Sequence, residues 1–395
     1  MTTPANNGII VGCQDSFIRM YHHFNRRYED NTDINPSGLL VGHTRAVSSL
    51  DTISFGSVNS DAPQRFVSGS WDSDMRLFDA KSMECIFLVE GVDKPTPTNP
   101  PSATLQDVSD LPATEQEQLP QADTVTLTGK GHSLEVLALS HCVIQPVGEA
   151  NHSALIVSGG MDAHIKVWNL NIRKNENGAW VDDISLNTEF VHRETGPVQG
   201  GSAQTDEIGI WTLALDGSVA GTPQVYCGTL ADGMVRGYDI NSHKMIAKMK
   251  LHTDGVRHLR VANLNSGNSA TLVSSSSDRS IKCVDLRANK VSMRSENISQ
   301  HVSMHFDFDE TNTMLFVADS GGSIRSFDTR MSLKKVDEVK FGHQGAITKI
   351  IYNKGLIYTG GGADKIVKVW DANRKLAAVA TIPINDAVFA MSKIN

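Results

Sequence analysis

Three stretches of the chain each bring together a His, a hydroxyl residue and an Asp: His43, Ser68 and Asp72; His132, Ser158 and Asp162; His343, Thr359 and Asp364. These are the residue types of a nucleophilic triad. In such a triad a His base takes the proton of a hydroxyl and an Asp orients the imidazole. A nucleophile and its base are needed once, however, and this trio recurs. Recurrence argues for a structural polar set, since a buried set that satisfies itself rigidifies the unit holding it.

The unit that carries the trio is a repeat. An acidic turn residue is followed four positions later by Arg or Lys, two positions after that by an aromatic or Val, and then usually by Asp or Asn. Copies begin at Asp15 (DSFIRMYH), Asp72 (DSDMRLFD), Asp162 (DAHIKVWN), Asp232 (DGMVRGYD), Asp278 (DRSIKCVD), Gly321 (GGSIRSFD) and Asp364 (DKIVKVWD). The basic residue is present in every copy: Arg19, Arg76, Lys166, Arg236, Lys282, Arg325 and Lys368. From Asp278 to Gly321 is 43 residues, and from Gly321 to Asp364 is 43 again. The wider gaps of 57 (15 to 72), 90 (72 to 162) and 70 (162 to 232) place insertions in the N-terminal half. A period of about 40–45 residues is the length of a four-stranded propeller blade.

Each unit reads as strands. In DAHIKVWN, Ile165 and Val167 alternate with Lys166 and Trp168, a period of two. Ahead of each turn lies an apolar run ending in small residues, as in ALIVSGG and LIYTGGG, so that run, turn and run make a hairpin. A third run lies upstream (LEVLAL, GVRHLRV, AITKII) and a fourth between repeats (MECIFLVE, HKMIAKMK, LAAVATI). The fold class is therefore all-β, with residues 1–395 forming a single seven-bladed propeller. Before Asp15 there is room for one strand, GIIVGC, so the first blade lacks its innermost one. After LAAVATI the segment DAVFAMSK has the sequence of an inner strand and no blade of its own. It is expected to complete the N-terminal blade, which closes the ring and removes two sheet edges.

Composition fits a soluble frame without a cofactor. Five cysteines stand far apart, at 13, 85, 142, 227 and 283, and none forms a CxxC pair, which argues against zinc and redox chemistry and for a reducing compartment. MTTPANNGII carries no basic n-region or long apolar stretch, so a cytoplasmic or nuclear protein is expected, neither secreted nor inserted in a membrane. The net charge of −8 argues against direct nucleic-acid binding. The local exception is YHHFNRRY (21–28), whose bland reading is a solvated loop. Residues 91–123 are Pro-rich and acidic, with Lys94 the sole basic residue, and read as a disordered insertion. Either flanking run, MECIFLVE or TVTLT, can supply the outermost strand of that blade. Residues 171–206 read as a second, loop-rich insertion. No Walker loop, dinucleotide fingerprint or zinc cluster stands in the sequence, and no enzyme activity is expected.

With its seven units, the chain resembles the WD40-repeat β-propellers over essentially its whole length. The family's Trp-Asp stands at Trp370-Asp371, with Trp168-Asn169 close, and its Gly-His at Gly42-His43, Gly131-His132 and Gly342-His343, with Leu251-His252 in the same place. The resemblance implies hydrogen-bonded sets of His132, Ser158, Asp162 and Trp168, and of His343, Thr359, Asp364 and Trp370. It implies a partial set of His43, Ser68 and Asp72 with Phe78. It also implies a scaffold for protein–protein interaction, a monomeric subunit of a larger complex.

Residues before the inner strands (Arg45, Glu135, Asp254, Gln344, Asp386) and in the turns around the repeated Asp (Trp71, Met161, Arg279) should gather on one face and vary freely between blades. That makes them the candidate partner face, with Trp71 its sharpest member; the bland alternative is that Trp71 packs across a neighbouring loop. Two further functions fit local motifs. Val284-Asp285-Leu286-Arg287 and Phe327-Asp328-Thr329-Arg330 are similar to the adaptor boxes of substrate receptors for cullin-RING ubiquitin ligases, without the Trp. SLDTISFG, FVSGSWDSDMRLFD and VTLTGKGH are similar to one blade of a eukaryotic ribosome-assembly factor, whose ubiquitin-like domain has no counterpart here.

Overall fold

The computed structural model describes residues 8–21, 36–56, 62–92, 124–144, 151–192, 209–217, 222–264, 270–288, 290–296 and 298–394. The segment 22–28, the expected disorder of 93–123 and the Gly-rich stretch up to residue 206 lie outside them.

Seven sheets, antiparallel but for one added strand, form the blades. Blade 1 holds β1 (Gly8–Cys13), β2 (Ile18–Tyr21) and β3 (Gly38–Leu40). Blade 2 holds β4 (Val47–Ser54), β5 (Gln64–Ser70), β6 (Met75–Asp79), β7 (Cys85–Val89) and β8 (Val125–Leu127). Blade 3 holds β9 (Val136–Ile144), β10 (Asn151–Gly160), β11 (His164–Lys174) and β12 (Trp180–Val191). Blade 4 holds β13 (Ile210–Asp216), β14 (Gln224–Thr229), β15 (Met234–Asp239) and β16 (Lys244–Lys250). Blade 5 holds β17 (Val256–Ala262), β18 (Thr271–Ser276), β19 (Ile281–Asp285) and β20 (Lys290–Ser295). Blade 6 holds β21 (Ser303–Phe308), β22 (Met314–Asp319), β23 (Ile324–Asp328) and β24 (Lys334–Val339). Blade 7 holds β25 (Ile347–Asn353), β26 (Leu356–Gly361), β27 (Ile366–Asp371) and β28 (Ala377–Pro383). The last strand, β29 (Val388–Ile394), pairs antiparallel with β1, Ile10 facing Ser392, and becomes the inner strand of blade 1. No described helix is long and apolar enough to cross a membrane.

The strand period decides where the core sits. Because successive side chains point to opposite faces, each blade offers one apolar face to each neighbour. Ile9, Val11 and Cys13 pack on Tyr358, Val367 and Val388, whereas Ile10 turns to Val47, Phe66 and Phe78. Likewise Ile165 and Val167 meet Ile210 and Cys227 of blade 4, and Trp168 meets Val67 and Leu77 of blade 2. The core is thus a series of buried clusters, one between each pair of adjacent blades.

Two expectations about the insertions change. Both flanking runs join blade 2: β7 is its fourth strand, and β8 adds a fifth, parallel to β7, with Leu88 opposite Thr126. Residues 171–191 are not loop-rich but continue blade 3 as a long hairpin, Lys174 opposite Trp180. Its polar composition hides an alternation, in which Ile184, Thr188 and Phe190 are buried and Val181, Asp183 and Ser185 are not. Asp182 anchors the hairpin by taking Nε and Nη2 of buried Arg65, both at 2.8 Å, a two-pronged pairing that only a planar guanidinium makes. Trp180 lies against His152 at 5.2 Å.

Ring closure rests on β29, since blade 1 has no other inner strand. Deleting residues 386–395 bares the β1 edge and the apolar faces of Val11 and Ile10, and an exposed strand edge templates aggregation. The expected outcome is a large loss of soluble protein, read by fractionation and by melting of whatever remains soluble; a normal yield and melting temperature would mean that the ring closes otherwise.

Candidate functional site

Each trio assembles around a carboxylate. His43 Nδ1 reaches Asp72 at 3.0 Å and its Nε2 reaches Ser68 Oγ at 2.7 Å. His132 bonds Asp162 at 2.9 Å and Ser158 at 2.8 Å, and Trp168 Nε1 donates to the same Ser158 Oγ at 3.0 Å. In blade 7, His343 bonds Asp364 at 2.9 Å and Thr359 at 2.7 Å, and Trp370 donates to Thr359 at 2.8 Å. The donors fall into one direction. Trp can only donate and the carboxylate can only accept, so the hydroxyl gives its proton to Nε2 and Nδ1–H points to the Asp. This is the proton arrangement of a hydrolytic triad, but Ser68, Ser158 and Thr359 are all 0% exposed, so no substrate carbonyl can meet them.

A further set was not foreseen in the sequence. His252 bonds Asp278 at 3.0 Å, Ser280 at 2.9 Å and Ser274 at 2.8 Å. The serine run TLVSSSS hid which hydroxyl would serve; the signal was Ser274 lying four residues before Asp278, the spacing of Ser68 to Asp72 and Ser158 to Asp162.

In these four blades the repeated basic residue leaves the Asp to the His. Lys166, Lys282 and Lys368 donate to the carbonyls of Gly131, Leu251 and Gly342, each the residue before the His. Arg76 lies over Gly42, so close that a Cβ there would meet it at 2.6 Å. In blades 1, 4 and 6 the basic residue is Arg and pairs with the acid directly: Arg19 with Asp15 at 2.6 Å, Arg236 with Asp232 at 2.7 Å, Arg325 with Asp319 at 2.6 Å. Asp319 corrects the reading of blade 6. It stands two residues before Gly321 and takes the amides of Gly321 and Ser323, while Ser299 occupies the place of the His.

The chain also matches the family model described as "WD domain, G-beta repeat" at residues 34–79, 124–169, 243–285 and 335–371. These segments carry the four blades in which a His completes the set. The chain carries WD40 repeats. A stretch of 159 residues is 29% identical to "Mitochondrial division protein 1" of Eremothecium gossypii, covering 39% of this chain and 19% of that protein's length. The fold is similar to the crystal structure of the computationally designed Ika8 protein, with a TM-score of 0.57 and 15% identity over 100% of this chain and 89% of that one.

The WD40 sets pin the loops of one face. Asp72, Asp162, Asp278 and Asp364 each accept the amide beside the His, from Thr44, Ser133, Thr253 and Gln344 at 2.8–3.0 Å. The first three also accept an amide of their own turn, from Asp74, His164 and Ser280. Loops entering the inner strands and turns around the Asp therefore share one end of the ring, and the candidate face is there. Arg45 donates to the carbonyl of Trp71 at 3.0 Å and lies 3.5 Å from Glu135. Trp71, half-buried, stacks on Phe389 at 5.4 Å, so it packs on the start of the inner strand β29 rather than across a neighbouring loop. Phe389, Trp71, Arg45 and Glu135 thus form one strip across blades 1 to 3.

Met161 is 44% exposed and rests on Gly209. Asp254, Arg279 and Gln344 are exposed and apart, and Asp386 faces Lys365 at 3.9 Å. Sequence reasoning missed Phe389, Trp211 and Arg257, second residues of their inner strands; Arg257 sits 5.8 Å over the Trp211 ring and bonds Ser277 at 2.8 Å. An aromatic beside the strand start, in GIWTLAL and DAVFAMSK, was the available signal. The adaptor-box residues lie at the other end of the ring, at the turns into the outermost strands. Asp285 takes the amide of Arg287, and Asp328 takes Arg330 at 2.8 Å, so both acids are occupied by their own turn. Among the described residues no group of His, Cys, Asp and Glu could hold a metal ion.

Two outcomes follow for the clamps. His132→Ala leaves Asp162 and Ser158 short of a partner in a buried site, and is expected to cost about 1–3 kcal/mol in chemical denaturation. The pH dependence has a definite sign. Burial pushes the Asp72 and Asp162 carboxyls up, but bonding and charge from His43 and His132, with backbone amides, bring each down from 3.8 to about 2. A carboxyl depressed on folding adds stability above its unfolded value and loses it as pH falls toward the folded one. The denaturation midpoint should therefore drop between about pH 4 and pH 2, and Asp72→Asn should flatten that drop.

Proposed function

We propose that this protein is a non-enzymatic scaffold, a subunit of a larger assembly, that docks another protein on the face holding Arg45, Trp71, Glu135 and Phe389. The observation that carries the reading is the strip itself. A half-open aromatic pair beside an exposed guanidinium lies next to loops pinned by buried carboxylates. Binding energy concentrates in Trp, Tyr and Arg presented on rigid supports, and function in repeat rings lies in the loops of one face. Arg257 over Trp211 extends the same chemistry to blades 4 and 5. The five unpaired thiols support a reducing compartment, cytoplasm or nucleus, as the place of work.

Trp71→Ala combined with Arg45→Glu removes the stack and sets a second carboxylate beside Glu135. Affinity purification with mass spectrometry should lose the principal partner of the wild-type chain. The melting temperature should shift by only a few degrees, because a half-exposed aromatic pair contributes about 0.5–1.5 kcal/mol beyond its buried area. Capture that survives, or unfolding in its place, would remove this face as the docking site.

A further inference from the structure

The central channel is far less regular than the blades around it. Seven residues occupy one height there, each the first inner-strand residue after a bulge: Ser49, Ala138, Thr212, His258, His305, Lys349 and Ala390. Their cross-strand partners are Gly69, Gly159, Gly228, Ser275, Ala318, Gly360 and Gly12. Four consecutive blades carry small side chains at this height, and the other three carry two imidazoles and an ammonium. Ring symmetry would fill the layer evenly. Here the small residues of four blades stand opposite a polar, cationic wall.

The polar wall is only partly satisfied by the fold, where the backbone of Ile350 reaches His305. His258 and His305 stack at 3.7 Å, and His305, 9% exposed, keeps a buried Nδ1 with no hydrogen-bond partner. Lys349 and, lower in the channel, Lys393 are half-buried, and neither forms an ion pair among the described residues. Asp51 acts on Lys349 and Glu310 on Lys393 through charge without ion-pair contact, and two of the nearby acids are engaged elsewhere. Asp51 is held by His141 at 2.7 Å, and Asp307 by Arg260 and by the amide of Tyr352 at 2.8 Å. Arg260 is 40% exposed, so the channel is open to solvent.

Burial pushes Lys349 down to about 8 and lowers Lys393 too, the latter helped by the charge of Arg260. Both imidazoles are held well below their usual range, by burial first and then by the neighbouring charges. Cations kept desolvated and unpaired are a cost that folds avoid unless a ligand repays it.

We propose that the central channel binds a compact polyanion of the diphosphate class, with Lys349 and Lys393 as its cationic contacts and His305 Nδ1 as a hydrogen-bond partner. Phosphoryl oxygens accept from several directions at once, which suits donors arriving from separate blades. The site is distinct from the docking face and independent of it.

Isothermal titration of the full chain with pyrophosphate at pH 7 tests this. The expected result is saturable binding with a Kd below about 1 mM and a rise in melting temperature that chloride at matched ionic strength does not give. Lys349→Met and Lys393→Met should each weaken binding about tenfold or more. Without pyrophosphate, both variants should melt at or above the wild-type temperature, since each removes an unpaired ammonium. Lys290→Gln with Lys334→Gln, on the outer strands, changes net charge without touching the channel and should bind as wild type. Absence of saturation, equal weakening by the outer-strand control, or a lower melting temperature in both channel variants without ligand would each overturn the proposal.

Discussion

The buried turn carboxylate is the interaction on which the ring depends. An ionised Asp removed from water must be paired and hydrogen-bonded or it destabilises the fold that holds it. Asp162 meets that demand with His132, the amide of Ser133 and the amide of His164. Those partners come from the loop before the inner strand and from the turn after the second strand. Satisfying one charge therefore ties together two loops far apart in sequence. The same tie recurs at Asp72 and Asp278, and Asp364 makes it through His343 and the amide of Gln344.

How the charge is paired has two solutions, and the identity of the basic residue follows the choice. Where His takes the carboxylate, the cation moves to the carbonyl before the His, a job a compact ammonium does well, and Lys166, Lys282 and Lys368 do it. Where no His takes it, the cation must meet the carboxylate itself, and Arg19, Arg236 and Arg325 do so. A guanidinium reaches and orients on a carboxylate in a way an ammonium does not. In blade 4 His192 stays near the pair but off it, with a buried Nε2 left without a partner and the ring kept neutral by burial and by the charge of Arg236. Arg76 is the exception, an Arg in a His blade, and its Nε is left unbonded.

Much of this architecture was legible in the chain because it is periodic. The strand alternation in DAHIKVWN, the 43-residue spacing and the spare inner strand at the C-terminus each follow from a physical rule that acts locally. What escaped reading lacks a local signature. Asp319 sits two residues off the repeat, and only its contacts with Ser299 and Arg325 reveal its part. The hairpin of β11 and β12 looked like a polar loop, because its anchor, Arg65, lies more than a hundred positions away. Phe389 and Trp71 meet only once the two ends of the chain close the ring.

Symmetry itself separates frame from function in such a ring. A side chain that serves the frame is set by the same constraint in every blade, so its position repeats: the turn carboxylate, the basic residue, the apolar faces. A position that breaks the pattern answers to something outside the frame. By that argument the stack of Trp71 on Phe389 and the wall of His258, His305 and Lys349 stand on equal footing, one at the mouth and one inside the channel. They differ in what they offer. The mouth presents apolar area and an exposed guanidinium, which suit a protein surface. The wall presents two imidazoles and an ammonium inside the ring, where desolvation makes each charged contact stronger than at the surface.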